Sequence, residues 1–335
     1  MCVAVSRSLL LEKPGSWRIA TTDLRDPGPG EALVHVVAAG VCRRDLALFE
    51  GGASMDPRAY PVVPGHEWSG TVLRVGRGVD RDLVEAHVTG EGVYHCQACD
   101  RCLEGDTNLC EDAGGEIGLT EPGAFADRLL IPARLLHRLD PQADLVAAAL
   151  MRPAANAAAA VLRAGVRPGD RVAVVGAGTL GVLVIQLLAA RVPAELIAVD
   201  PRGSRAEQAL AAGAASLVAP GAAGERFDVV IEAAGAPASA CEAMSLTRRG
   251  GTLVLAGRPA GQHTPLPPGE VISRQLTIHT VSGAHSAAWA YAVRAYNSGL
   301  LALRPLITHE LPLEAYGDAM ALLADPATGK VVLRP

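Results

Sequence analysis

The chain has no basic run and a formal net charge of −5. It therefore lacks both the electrostatic footprint of a nucleic-acid binder and a polybasic patch for a membrane surface. It opens MCVAVSRSLLLEKPGSW, where the apolar run is very short and no basic residue precedes it, so no secretory signal is expected. A cytoplasmic address follows. In that reducing setting the seven cysteines read as metal ligands before they read as disulfides. Aromatic residues make up only 3% of the chain, yet half of it is hydrophobic, with much alanine, and such a composition is globular rather than disordered. The 335 residues suffice for two domains with separate cores. A small soluble ligand is the default partner.

Charge is also missing between Val172 and Ala190, a run close to the roughly 20 apolar residues of a membrane span. Its three glycines, Gln186 and a strand-like opening speak against a span. The surrounding stretch RVAVVGAGTLGVLVIQLLAARVPAELIAVD, Arg171 to Asp200, reads as strand, glycine turn, helix, strand. Val172 to Val175 is short and apolar on both faces, as suits a strand buried in a parallel sheet. Gly176, Gly178 and Gly181 then give G-x-G-x-x-G. In such a loop the first glycine makes the tight turn, the second admits a pyrophosphate close to the backbone, and the third lets helix and strand pack. The phosphates would sit at the helix N-terminus, where unpaired N–H groups and the dipole favour an anion. The next apolar run ends in Asp200, whose carboxylate can accept both ribose hydroxyls of an adenosine. A glycine turn that binds nothing is the alternative, and Asp200 disfavours it.

Cys96, Cys99, Cys102 and Cys110 stand as C-x2-C-x2-C-x7-C, among the charged residues Asp100, Arg101, Glu104 and Asp106. Four thiolates so spaced match a closed tetrahedral zinc site that staples a loop with almost no core of its own. An iron–sulfur cluster and disulfides are the competing readings. The site would be structural, because protein supplies all four ligands. Elsewhere GVCRRDLALFEGG carries Cys42 and Asp45 on a loop entering a short helix, and PGHEWSG places His66 beside Glu67 ahead of a strand from Thr71 to Val75. Residues 1 to about 40 read as β-structure, with a turn-rich DPGPG at Asp26 to Gly30. FDVVIEAAG and GGTLVLAG continue the strand pattern of the middle of the chain; helices follow at Ala287 to Tyr296 and Glu314 to Leu323, before a last strand.

On these motifs the sequence resembles the zinc-containing medium-chain dehydrogenases/reductases, the alcohol and polyol dehydrogenase superfamily. The resemblance rests on Cys42, the His66-Glu67 pair, the four-cysteine lobe, the glycine loop and the terminal GKVVLRP from Gly329. It implies an α/β protein in which a Rossmann domain, a doubly wound parallel sheet, is inserted into a GroES-like β-rich catalytic domain. The expected ranges are 1–152, with the zinc lobe near 94–112, then 153–282, then 283–335 for the return to the catalytic domain. The family implies a catalytic zinc held by Cys42, His66 and Glu67, with Asp45 orienting the histidine through its other ring nitrogen. It implies NAD held by Gly176, Gly178, Thr179, Leu180, Gly181, Asp200 and Asn156, with Arg205, Arg43 and Lys330 near its phosphates or adenosine. A homodimer or homotetramer is the family's usual assembly.

Three positions depart from the family. Arg44 stands where a Ser or Thr usually passes the alcohol proton outward, Ala47 where an outer relay histidine is often found, and Arg152 at the usual fourth zinc-ligand position. A guanidinium stays protonated and cannot ligate zinc. Arg44 and Arg152 either form a fork for a carboxylate or phosphate of the substrate, or pair with Glu67 or Asp45 and weaken the metal site, or are surface arginines outside it. The leading expectation is an NAD(H)-dependent, zinc-containing oxidoreductase that interconverts a secondary alcohol and a ketone on a polar small molecule of polyol, sugar or aminocyclitol type, anionic if the fork is real. A redox-neutral reaction such as epimerisation or elimination, at an altered or metal-poor site, is the second expectation, and a non-catalytic nucleotide-binding protein the third. Asp200 favours NAD over NADP, although Arg202 and Arg205 follow it.

Overall fold

The computed structural model describes residues 4–52, 60–259, 265–325 and 327–335; Cys2 lies outside them. The chain forms two compact units, Met1–Arg152 with Leu303–Pro335, and Pro153–Ala302.

In the first unit β1 (Ala4–Lys13) and β2 (Ser16–Leu24) form an antiparallel hairpin. They are followed by β3 (Glu31–Val41), β4 (Glu67–Val75), β5 (His87–Gly90), β6 (Arg128–Pro132) and β7 (Leu136–Arg138). The strand anticipated from Thr71 begins earlier, at Glu67, and this places His66 immediately before the ladder. β3 is the spine. It pairs antiparallel with β4 along nearly its whole length, and its first half also pairs with β6. Its side chains are buried on both faces over most of that length, which explains why its sequence is almost continuously apolar. The core beneath it is aliphatic, joined by one aromatic knot in which Trp17, Phe49 and Phe125 surround Tyr316 at centroid distances of 5.6 to 5.8 Å. The scarce aromatic residues are thus concentrated where one large filler replaces several aliphatic ones.

The second unit holds a parallel sheet of β8 (Arg171–Val175), β9 (Glu195–Val199), β10 (Ser216–Val218), β11 (Phe227–Glu232), β12 (Thr247–Leu255) and β13 (Thr277–Thr280), in the order β10-β9-β8-β11-β12-β13. Strand order reverses between β8 and β11, the switch point at which such sheets bind ligands beyond the strand ends. The uncharged run after Val172 is therefore a strand plus the helix Thr179–Ala189. Among the described residues no helix is long and apolar enough to cross a membrane.

The chain returns to the first unit through β14 (Ile307–Pro312) and β15 (Lys330–Arg334), which complete the mainly antiparallel sheet β14-β15-β3-β4-β5-β7. The return falls at Leu303, later than the expected 283. The helix Ser286–Asn297 buries Ala288, Trp289, Ala292 and Val293. Arg191 stacks on Tyr291, and Gln186 exchanges hydrogen bonds with the backbone of Ala302. These contacts hold the segment in the dinucleotide-type unit, a preference that helical periodicity alone does not reveal.

Candidate active site

Strand register assembles the first cluster. Gly40 pairs with Glu67 across β3 and β4, and Val41 pairs with Val331 across β3 and β15. Residues just past the end of β3 therefore meet His66, Glu67 and Lys330 at the same end of the sheet. Cys42 Sγ lies 3.1 Å from His66 Nε2, and Cys42, His66 and Glu67 offer donor atoms all within 4.8 Å of one another. Gly65 turns the chain into His66 with φ of +99°, and a Cβ there would sit 2.6 Å from the backbone nitrogen of Phe125. Only glycine satisfies both conditions.

Cys42 also caps the helix Arg43–Glu50. Its sulfur accepts from the N–H of Arg44 at 3.3 Å, while Asp45 Oδ2 accepts from the N–H of Cys42 at 2.9 Å. The other oxygen of Asp45 stands 3.4 Å from His66 Nδ1, long for a hydrogen bond but on the side of the ring opposite the thiol. Burial, with the charges of Asp45 and Glu67, pushes the Cys42 thiol up; burial also raises Asp45, to about 6. Burial and the cations Arg152, Arg44 and Lys330 hold His66 well below the usual imidazole range, so it is neutral, the form that ligates. A soft thiol, a neutral imidazole and a carboxylate converging in a buried site fit a zinc ion, whose charge would convert the thiol to thiolate. Three protein donors leave the fourth position open.

Lys330 reaches this site. Its ammonium is buried, 2.5 Å from Glu67 Oε2 and 3.0 Å from the carbonyl oxygen of Val41. The β3–β15 register, which pairs Val331 with Val41, sets Lys330 opposite Cys42 and so explains this pairing. Arg43 is exposed on the first turn of its helix.

Arg44 and Arg152 are brought together, and neither pairs with Glu67 or Asp45. Both bind Glu116. Arg44 reaches its two carboxylate oxygens at 2.5 and 2.9 Å, and Arg152 Nη2 donates to Oε1 at 2.9 Å while Nη1 lies 3.4 Å from the carbonyl oxygen of His66. With side chains 28% and 15% exposed they are not surface arginines. Burial alone would raise Glu116, but the hydrogen bonds and charges of the two guanidiniums outweigh it and hold the carboxyl below its ordinary value. Sequence reasoning missed Glu116. It belongs to no motif and stands in a glycine-rich turn far along the chain from Arg44; only an unassigned charge in need of a partner could have pointed to it.

The second cluster is the cysteine lobe, whose four sulfurs lie within 4.8 Å of one another. Cys96 Sγ accepts from the N–H groups of Ala98 and Cys99 at 3.3 and 3.2 Å, and Cys110 Sγ from that of Cys96 at 3.2 Å. Backbone N–H groups of Glu111 and Cys102 lower the Cys99 thiol to about 6. Leu103 and Leu109 are 73% and 50% exposed, so no apolar core holds the lobe and tetrahedral thiolate ligation by a zinc ion would supply what is missing.

In the second unit Gly176, Gly178 and Gly181 form the turn after β8. A Cβ on Gly181 would meet the carbonyl oxygen of Gly176 at 1.7 Å, whereas one on Gly178 would point into open space. Thr179 and Leu180 open the helix, whose N-cap Gly178 offers no side chain to its N–H groups. Among the described residues Asn156 Oδ1 is buried without a hydrogen-bond partner, an acceptor a bound nucleotide could satisfy. These features fit a dinucleotide. Glu232, at the end of β11, escaped the sequence reading; its carboxylate accepts from the N–H groups of Ala234 and Gly235, both at 2.7 Å, and so shapes the loop beside the switch point. Asp200 does not present free oxygens. Oδ2 accepts from Ala177 N–H at 2.8 Å and Arg202 Nη2 at 2.9 Å, and Oδ1 from the N–H and Nε of Arg202, each at 2.9 Å. Arg205 lies beside this pair, with its guanidinium made less basic by burial and by Arg202.

Comparison with known proteins agrees with both units. The family description "Alcohol dehydrogenase GroES-like domain" matches residues 28–141, and "Zinc-binding dehydrogenase" matches residues 179–298. An L-threonine 3-dehydrogenase of Pyrococcus horikoshii is 30% identical over 97% of each chain. This chain belongs to the zinc-containing medium-chain dehydrogenases/reductases. It is an NAD(P)-dependent, zinc-containing oxidoreductase of the alcohol dehydrogenase type, with a small molecule as substrate. Solved structures similar to it include an NADP-bound zinc-binding dehydrogenase from Sinorhizobium meliloti 1021, with a TM-score of 0.90, 27% identity and coverage of 99% of this chain and 100% of that one. Another is galactitol-1-phosphate dehydrogenase from Escherichia coli, with a TM-score of 0.86, 25% identity and coverage of 98% and 100%.

Proposed function

We propose that this dehydrogenase interconverts a secondary alcohol and a ketone on a small polar molecule that carries a carboxylate or phosphate, with NAD(H) as a hydride acceptor and donor. The observation that carries this reading is the pairing of Arg44 and Arg152 with one carboxylate, Glu116. Two guanidiniums and one carboxylate leave a surplus positive charge beside the Cys42–His66–Glu67 cluster, and a planar anion is the group such a fork recognises. Two of the similar proteins point the same way by name, since threonine bears a carboxylate and galactitol 1-phosphate a phosphate.

A zinc ion held by Cys42, His66 and Glu67 would act as a Lewis acid that acidifies an alcohol and stabilises the charge that develops as hydride leaves carbon. The chain's own residues do the rest. Asp45 orients His66 through Nδ1, Lys330 holds one oxygen of Glu67 and so fixes its carboxylate, and the arginines fix the anionic end so that one carbinol carbon is presented. Arg44 stands in place of a relay hydroxyl, so the alcohol proton must leave by another route, and water is the simplest acceptor. A reducing cytoplasm suits centres built on thiolates, and a homodimer or homotetramer is the assembly we infer.

The test is a set of matched alcohols, each neutral polyol beside its phosphate and its carboxylate, scored by absorbance of the reduced nicotinamide at 340 nm. The anionic member of a pair should have the larger kcat/KM by about tenfold or more, the size of one charge-assisted hydrogen bond. Faster turnover of the neutral members throughout would reject the reading.

A further inference from the structure

A carboxylate has about four acceptor positions on its two oxygens. At Asp200 all four are filled by Ala177 N–H and by the N–H, Nε and Nη2 of Arg202. An aspartate at the end of the second strand of such a sheet ordinarily selects NAD in two ways: it accepts the ribose hydroxyls, and it repels a 2′-phosphate. Here neither remains in force. The acceptor positions are used, and a bidentate guanidinium cancels the charge at contact distance.

The same geometry turns a different group outward. Asp200 is 2% exposed and lies beneath its partner, while the Arg202 side chain is 40% exposed. Nε–H and one N–H of Nη2 are spent on the carboxylate, which leaves the remaining guanidinium donors available at the adenosine end of the site. The backbone link through Ala177 N–H fixes Asp200 to the glycine loop, so Arg202 is held on a support that is itself fixed. A second guanidinium, that of Arg205, lies close enough to Arg202 for the charge of Arg202 to make it less basic. Two cations at this position, with one carboxylate already neutralised, favour an additional phosphate rather than a bare diol.

We propose that Arg202, positioned by Asp200, is the residue that sets cofactor choice in this enzyme, and that it makes the adenosine subsite accept the 2′-phosphate of NADP at least as well as the hydroxyl of NAD. The inference rests on the dinucleotide reading of the second unit and widens the cofactor of the proposed reaction from NAD(H) to NADP(H).

The experiment measures binding, without turnover, in the full-length protein. Isothermal titration with 5′-AMP and with 2′,5′-ADP compares two probes that differ only in the 2′-phosphate. The wild-type chain should bind 2′,5′-ADP at least as tightly as 5′-AMP. Arg202→Ala should lower that affinity ratio about tenfold or more, chiefly by weakening 2′,5′-ADP, because a charge-assisted contact is lost and Asp200 is uncovered. Arg202 is exposed enough for the substitution to leave the fold intact, and an unchanged Tm checks this. A wild type that prefers 5′-AMP overturns the proposal, and so does a ratio that Arg202→Ala leaves within about twofold. A protein that binds neither probe fails at the dinucleotide reading itself, an outcome distinct from binding 5′-AMP alone.

Discussion

Lys330, on the last strand, donates to Glu67 at the start of β4 across a buried gap of 2.5 Å. This one contact ties the C-terminal end of the chain to a candidate metal ligand. Burial alone would make the Lys330 ammonium easier to deprotonate, but the charges of Glu67, Cys42 and Asp45 and the hydrogen bond to Glu67 together outweigh it and raise the group above its ordinary value, so the ammonium keeps its proton. A buried pair is costly to break from one side, because the remaining charge has no partner. Lys330→Met should therefore destabilise the protein by about 3–5 kcal/mol. Adding Glu67→Gln should recover more than half of that loss, because the carboxylate that lost its partner is then gone. Chemical denaturation of the single and double variants checks this. A double variant as unstable as the sum of the singles would show that the two residues are not coupled.

The cysteine lobe gives a second prediction, read as metal content. Purified protein should contain two zinc ions per chain, a count that follows from the two donor clusters. Cys99→Ser should release the lobe's ion and lower Tm, since metal binding there is coupled to local folding. The ion at Cys42 and His66 should remain. Full metal content with an unchanged Tm would mean that the lobe is not a zinc site.

What could be read from the sequence was what is local in it. The four cysteines and the glycine loop are fixed by spacing within one short stretch, and both lie where spacing places them. Cys42 and His66 could be paired only through resemblance, because it is the register of β3 with β4 that joins them. The same long-range register makes Lys330 a partner of Glu67, and no periodicity within GKVVLRP contains that information. Asp200 shows the opposite limit. Its place at the end of β9 was legible, but whether its oxygens are free depends on the rotamer of Arg202, which sequence does not specify.

Glu116 supplies a prediction in pH. Its carboxyl is lowered from an ordinary value of 4.5 in the folded state, so the folded chain binds this proton more weakly than the unfolded chain does. The stabilisation from its ionised form is complete above the unfolded value and is lost as pH falls through the lower folded one. Glu116→Gln should therefore reduce Tm at pH 7, and the gap to wild type should close as pH drops below about 4.5. A gap that stays constant down to pH 3 would place the cause elsewhere, in packing of the turn.

Arg152 carries the sharpest prediction, because it occupies the position at which relatives by resemblance supply a zinc ligand. Its guanidinium shares Glu116 with Arg44, and Arg44 alone still holds that carboxylate through both oxygens. Arg152→Ala should consequently change stability by no more than about 1 kcal/mol, the scale of a partly exposed ion pair whose partner remains satisfied. Its effect should fall on the substrate. Losing a charge-assisted hydrogen bond to an anion costs roughly 1.5–3 kcal/mol, so KM for an anionic alcohol should rise about 10-fold to 150-fold. KM for a matched neutral alcohol and the Kd of the dinucleotide should stay within about threefold. Arg152→Glu places a fourth donor, a carboxylate, beside Cys42, His66 and Glu67, and it should tighten zinc binding while shifting preference toward neutral alcohols. Steady-state kinetics on the paired substrates, with zinc quantified in each preparation, separates the possibilities. Equal losses on neutral and anionic alcohols would mean that Arg152 supports the metal cluster through the carbonyl oxygen of His66 and does not recognise the substrate. An unchanged KM for both, in fully metallated protein, would remove it from the site altogether.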